Sequence, residues 1–298
     1  MTPLTDPLTA LTDINLNDLV SSFGWQDQPA LGAALRRIFY GPAHKFALQT
    51  LDCDRAVGEN GLPEGAQHAL YNYVRDVKTF GQENVPAAGP ALFLSNHPGM
   101  TDTLALFAGI GRRDLRVIAL DRPFLQSLPN ISRHLLYISG DSNERISAVK
   151  KAAAHLRQGG AVLTFPAGQI EPDPDVYEGA SESLADWTES AAVFVRFAPE
   201  TKIVPVLVRG VLWDKAVKYP LLKLKREREA RERLGAAVQL LSHLVFETRP
   251  VIVRIQFAKP VTVAEVGSTD VTAIHAAVLG RMRALVQYPP EGKGVSVL

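Results

Sequence analysis

Ala91-Leu92-Phe93-Leu94-Ser95-Asn96-His97-Pro98-Gly99-Met100-Thr101-Asp102 is the stretch from which the rest of the chain can be read. An apolar run ends at Ser95-Asn96, His97 and Pro98-Gly99 follow, and Thr101-Asp102 opens a second apolar segment. The pattern predicts strand, tight turn and helix, with His97 and Asp102 at the turn. In a continuous helix, residues five apart sit about 140° apart, and in a strand they point to opposite faces. The two side chains meet only if the backbone bends between them. Pro98-Gly99 supplies the bend: Pro fixes φ, and Gly reaches conformations closed to other residues. Thr101 is the expected N-cap, with Asp102 in the first helical turn, where negative charge is favoured. A His–Asp pair in such a loop is the pattern of a general base and its orienter. The carboxylate holds one imidazole N–H, and the other nitrogen takes a proton. A histidine that only caps the strand end fits the same residues. With 7 histidines in the chain, such a spacing also arises readily by chance.

Composition narrows the classes. The 298 residues suit one large α/β domain, or a domain with an extension. A net charge of +1 gives no global electrostatic case for nucleic acid. A single cysteine, Cys53, excludes an internal disulfide framework and a Cys-rich metal site. No clustered ligand set points to a metal enzyme. The N-terminal stretch is polar and does not read as a signal peptide, and no apolar run approaches the length of a membrane span. The expectation is a cytoplasmic protein in a reducing setting. If it works on lipid, it does so peripherally, from the inner face of the membrane.

Outward from the motif, residues 1–78 read as an N-terminal helical segment, with a loose arm over 1–12 and helices over 13–23, 29–51 and 64–77. Gly41-Pro42 is a point of break or kink in the second of these. Residues 79–298 read as an α/β domain in which strands and helices alternate. A short strand and turn are expected at 79–85, and strands at 91–95, 116–120, 135–139, 161–165, 203–208 and 251–257. Helices are expected at 101–108, 144–157, 183–197, 224–246 and 270–287. Ile146, Val149, Ala153 and Leu156 form the apolar side of the helix over 144–157. The mixed charges of 215–234 fit a solvated face better than a membrane-surface helix. The fold class is α/β, a central mixed, largely parallel sheet flanked by helices. Sites in such sheets form at the carboxyl ends of strands, where His97 and the Pro166-Ala167-Gly168 turn both stand.

Phe165-Pro166-Ala167-Gly168-Gln169 follows one apolar strand, and Val204-Pro205-Val206 interrupts another. With Asn96-His97 and Asp102, these stretches occur in the order and rough spacing of the glycerophospholipid acyltransferase family, which includes the lysophosphatidate and glycerol-3-phosphate acyltransferases. That family is marked by Asn-His-x-x-x-x-Asp, then Phe-Pro-Glu-Gly-Thr-Arg, then a Val-Pro-Val-like strand. The resemblance covers roughly residues 79–260. It implies transfer of a fatty acyl group from acyl-CoA or acyl-carrier protein to a lipid hydroxyl, in phospholipid biosynthesis and at a membrane surface. It implies no cofactor beyond the acyl thioester, which is a substrate. His97 and Asp102 take the catalytic roles, and Asn96, Gly99, Arg122, Phe165, Pro166, Ala167, Gly168 and Gln169 line the substrate. Backbone N–H groups near Gly99 or the following helix start would meet the oxyanion.

The departures are specific. Ala167 stands where the family has Glu, and Gln169-Ile170 replaces Thr-Arg. Arg122 stands near a basic position common in the family, with Arg133 and Arg145 as weaker anion contacts. Glu171, Asp173 and Asp175 either stand in for the missing Glu or line an acidic, Pro-stiffened loop. The expected acceptor is therefore a lysophospholipid or a similar hydroxylated lipid, not glycerol-3-phosphate itself. Two other readings remain open: a non-catalytic acyl-CoA- or lipid-binding protein of the same fold, and a thioesterase in which His97 activates water.

Overall fold

The computed structural model describes residues 6–24, 27–139, 141–219 and 228–298. Three helices lead: α1 (Pro7–Phe23), α2 (Pro29–Asn60) and α3 (Leu62–Tyr73). Then come β1 (Asp76–Phe80), β2 (Ala91–Ser95), α4 (Met100–Ile110), β3 (Arg116–Leu120), α5 (Pro123–Gln126), α6 (Pro129–Ser132), β4 (Leu135–Ile138), α7 (Ser142–Arg157) and β5 (Ala161–Thr164). The chain continues through α8 (Ser190–Phe197), β6 (Lys202–Arg209), α9 (Asp214–Val217), α10 (Arg228–Phe246), β7 (Ile252–Phe257), α11 (Val263–Val266), α12 (Val271–Gln287) and β8 (Val295–Ser296).

Among the described residues the strands form one eight-stranded sheet in the order β4-β3-β5-β2-β6-β7-β1-β8. Pairing is parallel from β4 through β6 and between β7 and β1, and antiparallel at β6–β7 and β1–β8. The mixed, largely parallel sheet is the one the sequence pattern predicts. Its central strands carry apolar residues on both sides because both faces are covered. Ala91 and Phe93 of β2, with Val204, Val206 and Val208 of β6, pack into a core shared with α2, α3 and α4. Leu92 and Leu94, with Ile203 and Leu207, pack on the other face against α7, α8 and α12. Complete burial of a side chain such as Phe93 is worth about 1.5–3 kcal/mol.

Several expectations are corrected at the level of elements. The arm expected over 1–12 is helical from Pro7 onward, because Asp6 caps α1 by accepting from the Thr9 N–H and Leu11 is buried. Helix α2 runs through Gly41-Pro42 to Asn60, well past the expected end. The helix expected over 183–197 is a 3-10 turn at Glu182–Asp186 followed by α8. In α7 it is Ala148, Ala152, Ala153 and Leu156 that are buried, whereas Ile146 is 52% exposed. Small residues make the close contact with the sheet, so the apolar stripe alone misplaces the buried face. Of the helix expected over 224–246, residues 224–227 lie outside the described residues, as do most side chains of the mixed-charge stretch.

The N-terminal helices are bolted to the sheet domain by a buried carboxylate. Asp54 of α2 is 4% exposed and accepts from the backbone N–H groups of Asn130 and Ile131, at 3.0 and 2.8 Å, in the first turn of α6. The Asn130 side-chain amide donates to it as well, at 3.0 Å. Replacing Asp54 by Ala strands those donors. The expected loss is about 2–3 kcal/mol of unfolding free energy, read by urea denaturation.

Candidate active site

Strand β2 is straight and buried, and it delivers Asn96 and His97 at the carboxyl edge of the sheet. The Asn96 side chain is consumed in holding that edge. Its Nδ2 donates to the Val208 carbonyl at 2.9 Å and its Oδ1 accepts from the Val208 N–H at 2.8 Å, so β2 and β6 continue to pair past their last ladder bond. The chain then turns, and the His97 and Asp102 side chains meet: His97 Nδ1 lies 2.8 Å from Asp102 Oδ2. The same Oδ2 accepts the Gly99 N–H at 2.8 Å, and Oδ1 accepts from Thr103 Oγ1 at 2.9 Å. Asp102 is fully buried, while the His97 side chain keeps 28% of its surface. Since a carboxylate only accepts, Nδ1 carries the proton and Nε2 presents a lone pair. Burial by itself lowers the His97 pKa, but the Asp102 charge and hydrogen bond, with the Glu171 charge, outweigh it and hold the imidazole above its ordinary value of 6.5. Arg122 is near enough to oppose them.

Gly99, rather than Thr101, is the N-cap of α4, and Asp102 closes the cap from the third helical position. The Gly99 N–H is thereby spent, which removes it from the backbone donors expected to meet a substrate oxyanion. Gly99 has φ 165°, extended backbone open to any residue, so the reason for glycine is space. A Cβ there would lie 3.2 Å from Val211 Cγ1 and 3.7 Å from Leu212 Cδ2. Thr101 is 6% exposed and lines a cavity of about 40 Å³ with Tyr73, Leu212 and His243.

The segment after β5 supplies what sequence reasoning left open. Phe165 packs its ring 4.6 Å from the His97 ring. The carbonyl of Pro166 accepts from the Thr188 N–H and hydroxyl, both at 3.2 Å. Ala167 is half-buried against the α7–α8 core, and Gly168 turns the chain with φ 65°. Gln169 donates to Asp186 at 3.0 Å. The chain then crosses the sheet edge, and three acids at alternate positions each reach a neighbouring strand. Glu171 Oε2 accepts the His97 N–H at 3.1 Å, next to β2, while the Glu171 N–H donates to the His97 carbonyl at 2.9 Å. Asp173 accepts the N–H groups of Gly210, Val211 and Leu212, at 2.9, 2.7 and 2.9 Å, past the end of β6. Asp175 pairs with Arg254 of β7 at 2.6 Å and lies 3.6 Å from Arg209. The order β2, β6, β7 is the order of the sheet. Gly210 has φ 72°, and a Cβ there would meet the Ile252 carbonyl at 2.7 Å, so this landing point needs glycine.

All three acids therefore act as structural clamps at the edge of the site. Burial pushes the Glu171 carboxyl up to about 7, against the hydrogen bonds of Trp187, the His97 N–H and Ser183. Burial also raises Asp173, opposed by its backbone N–H partners. The sequence signal was present in Glu-Pro-Asp-Pro-Asp: in an extended chain, residues two apart share a side. Arg122 stands after β3 on the same edge as His97, close to Asp18 of α1, whose pKa burial raises and the Arg122 charge lowers. Arg133 precedes β4 at the opposite edge, where its carbonyl accepts from Arg116. Arg145 donates to the Ser139 carbonyl at 3.3 Å beyond β4, on the far side of β3.

Residues 76–209 match the family model described as Acyltransferase. The matched segment contains the Asn96-His97, Asp102 and Phe165-Pro166 motifs on which the resemblance rests. No curated protein matches the chain. Among solved structures, the chain is similar to the 1-acyl-sn-glycerophosphate (LPA) acyltransferase PlsC from Thermotoga maritima. The two share 15% identity with a TM-score of 0.45, over 93% of this chain and 96% of that one. Among the described residues, no helix is long and apolar enough to cross a membrane.

The raised His97 pKa fixes the sign of a stability effect. The contribution of the His97–Asp102 pair is fully present below the unfolded imidazole value and is lost as pH rises through the higher folded value. The stability difference between wild type and His97→Gln is expected to be larger at about pH 5 than at about pH 9, measured by urea unfolding at each pH.

Proposed function

We propose that this chain transfers a fatty acyl group from acyl-CoA or acyl-carrier protein to a hydroxyl of a lysophospholipid or similar lipid acceptor. His97 is the general base and Asp102 its orienter. The observation that carries this reading is the 2.8 Å Nδ1–Oδ2 bond to a fully buried carboxylate, which leaves the Nε2 lone pair available on a partly exposed ring. The acceptor hydroxyl attacks the thioester carbonyl carbon as Nε2 takes its proton. The tetrahedral intermediate collapses with loss of the thiolate, and the imidazolium returns the proton to sulfur. The products are an ester and a free thiol. General-base assistance of this kind is worth roughly 10²–10⁴-fold. Because the thioester is already activated, the step requires no enzyme nucleophile.

Two features support a lipid acceptor at a membrane surface. Arg122 brings a positive charge to the rim of the site, where an anionic headgroup is stabilised. Apolar side chains stand in solvent on α2 and at the end of α10: Ile38 is 70% exposed and Phe246 73%. Beside Phe246 the two helices are joined, since Lys45 of α2 donates to the Leu244 carbonyl at 3.2 Å and pairs with Glu247 at 2.9 Å. Exposed apolar residues beside basic ones are the composition of an interfacial surface.

Thiol release from acyl-CoA and acyl-carrier protein, with and without a panel of lyso-lipids, tests the reaction. Acceptor-dependent release is expected, falling about 10²–10⁴-fold in His97→Ala. Release that needs no acceptor makes the protein a thioesterase, and saturable acyl-CoA binding without release makes it a binding protein. In the same assay Arg122→Gln is expected to raise KM for an anionic acceptor about tenfold while leaving a neutral acceptor nearly unchanged. In vesicle co-sedimentation, the double substitution Ile38→Ser and Phe246→Ser is expected to weaken binding to anionic vesicles.

A further inference from the structure

We infer that Glu171 is a positioning residue for His97: its carboxylate fixes the His97 backbone and thereby sets where Nε2 stands. What Nε2 does rests on the acyl-transfer reading above; how it is held rests on geometry alone.

His97 is gripped at two places. Its ring is held by Asp102 and by the face of Phe165. Its backbone is held by Glu171 in both directions, N–H to Oε2 at 3.1 Å and carbonyl from the Glu171 N–H at 2.9 Å. Orienting the ring through Nδ1 places Nε2 only if the Cα is also fixed, and the backbone grip supplies that. Glu171 is itself immobilised. It is 2% exposed, and its Oε1 accepts from Trp187 Nε1 at 2.8 Å and from Ser183 Oγ at 3.3 Å. Trp187 is 4% exposed and packs into the core against α8 and α12. A rigid chain of contacts thus runs from that core, through one carboxylate, to the backbone of the base.

The chemistry of the contacts makes the residue type specific. Donors face both oxygens: an amide N–H on one side, an indole N–H and a hydroxyl on the other. The ionised carboxylate, which accepts on both oxygens, satisfies both sides. A glutamine has the same shape but carries NH₂ on one side, so either the His97 N–H or the Trp187 N–H faces another donor. An aspartate is one methylene too short to span the gap. The nearby family-type position, Ala167, has no polar side chain to share the task.

The test compares Glu171→Gln, Trp187→Phe and a remote core truncation, Val278→Ala in α12, with wild type. Two readouts are taken: kcat and KM for acyl transfer, and the Nδ1 proton and nitrogen signals of His97 in histidine-labelled protein, assigned with His97→Gln. Misplacing a reacting group by about 1 Å costs on the order of 10²-fold. Glu171→Gln is expected to lower kcat about 10–100-fold with KM for the thioester changed less than about twofold, and to shift or broaden the His97 signal. Trp187→Phe, which removes one donor but leaves the carboxylate, is expected to show the same pattern more weakly. Val278→Ala is expected to lose stability while keeping both kcat and the His97 signal. A Glu171→Gln protein with wild-type kcat and His97 signal overturns the inference. So does a Val278→Ala protein, at matched stability, with an equal fall in kcat. If wild type transfers no acyl group, the functional reading falls, and the His97 signal alone decides the role of Glu171.

Discussion

A carboxylate taken out of water has to find donors, and the carboxyl edge of this sheet holds three such groups. Asp102 and Asp173 are 0% exposed and Glu171 2%. The desolvation of each ion costs several kcal/mol before compensation. Each takes at least one backbone N–H as part of its compensation: Gly99 for Asp102, His97 for Glu171, and Gly210, Val211 and Leu212 for Asp173. Because backbone donors cannot be supplied without fixing the chain that carries them, each buried acid dictates the path of a loop. The loop after β2, the loop after β6 and the strap after β5 are fixed by one another, and the imidazole stands where they meet.

The geometry around His97 is held in this way although the turn at Phe165–Ile170 departs from the motif that the chain resembles. Where the resembled motif has Glu, Thr and Arg, this chain has Ala167, Gln169 and Ile170. Gln169 is turned to Asp186, at the side of the site. The strap that follows fixes the edge, with prolines at the intervening positions that bring no N–H needing a partner. At the rim the positive charge of Arg122 acts on His97, beside Asp18 of α1. The N-terminal helices are therefore part of the site's surroundings. α1 reaches the rim through Asp18, and α2 is locked to the sheet domain through Asp54.

The legible parts of the sequence were those set by local rules. Strands β2, β5 and β6 are apolar on both sides because both faces of the sheet are covered, and that pattern survives in the bare sequence. The bend at Pro98-Gly99 and the meeting of His97 with Asp102 follow from chain geometry over five residues. Errors arose where a side chain's partner lay far along the chain. Thr101 looked like a cap and proved buried, because Asp102 already closes the helix start from the other side. The bonds by which Asn96 extends the β2–β6 pairing were not legible in the sequence, because Val208 is 112 residues away. Ile146 looked like core and is exposed, because neighbouring alanines let α7 approach the sheet more closely.

By itself, then, the sequence determined the sheet class, the strand–turn–helix at His97 and the pairing of His97 with Asp102, all of which depend on residues near one another. Tertiary structure alone decided what the acids at 171, 173 and 175 do. Their alternation shows that they share a side, but nothing local says which donors lie opposite. The order of strands across the sheet supplies those donors, and strand order is a property of the folded chain as a whole.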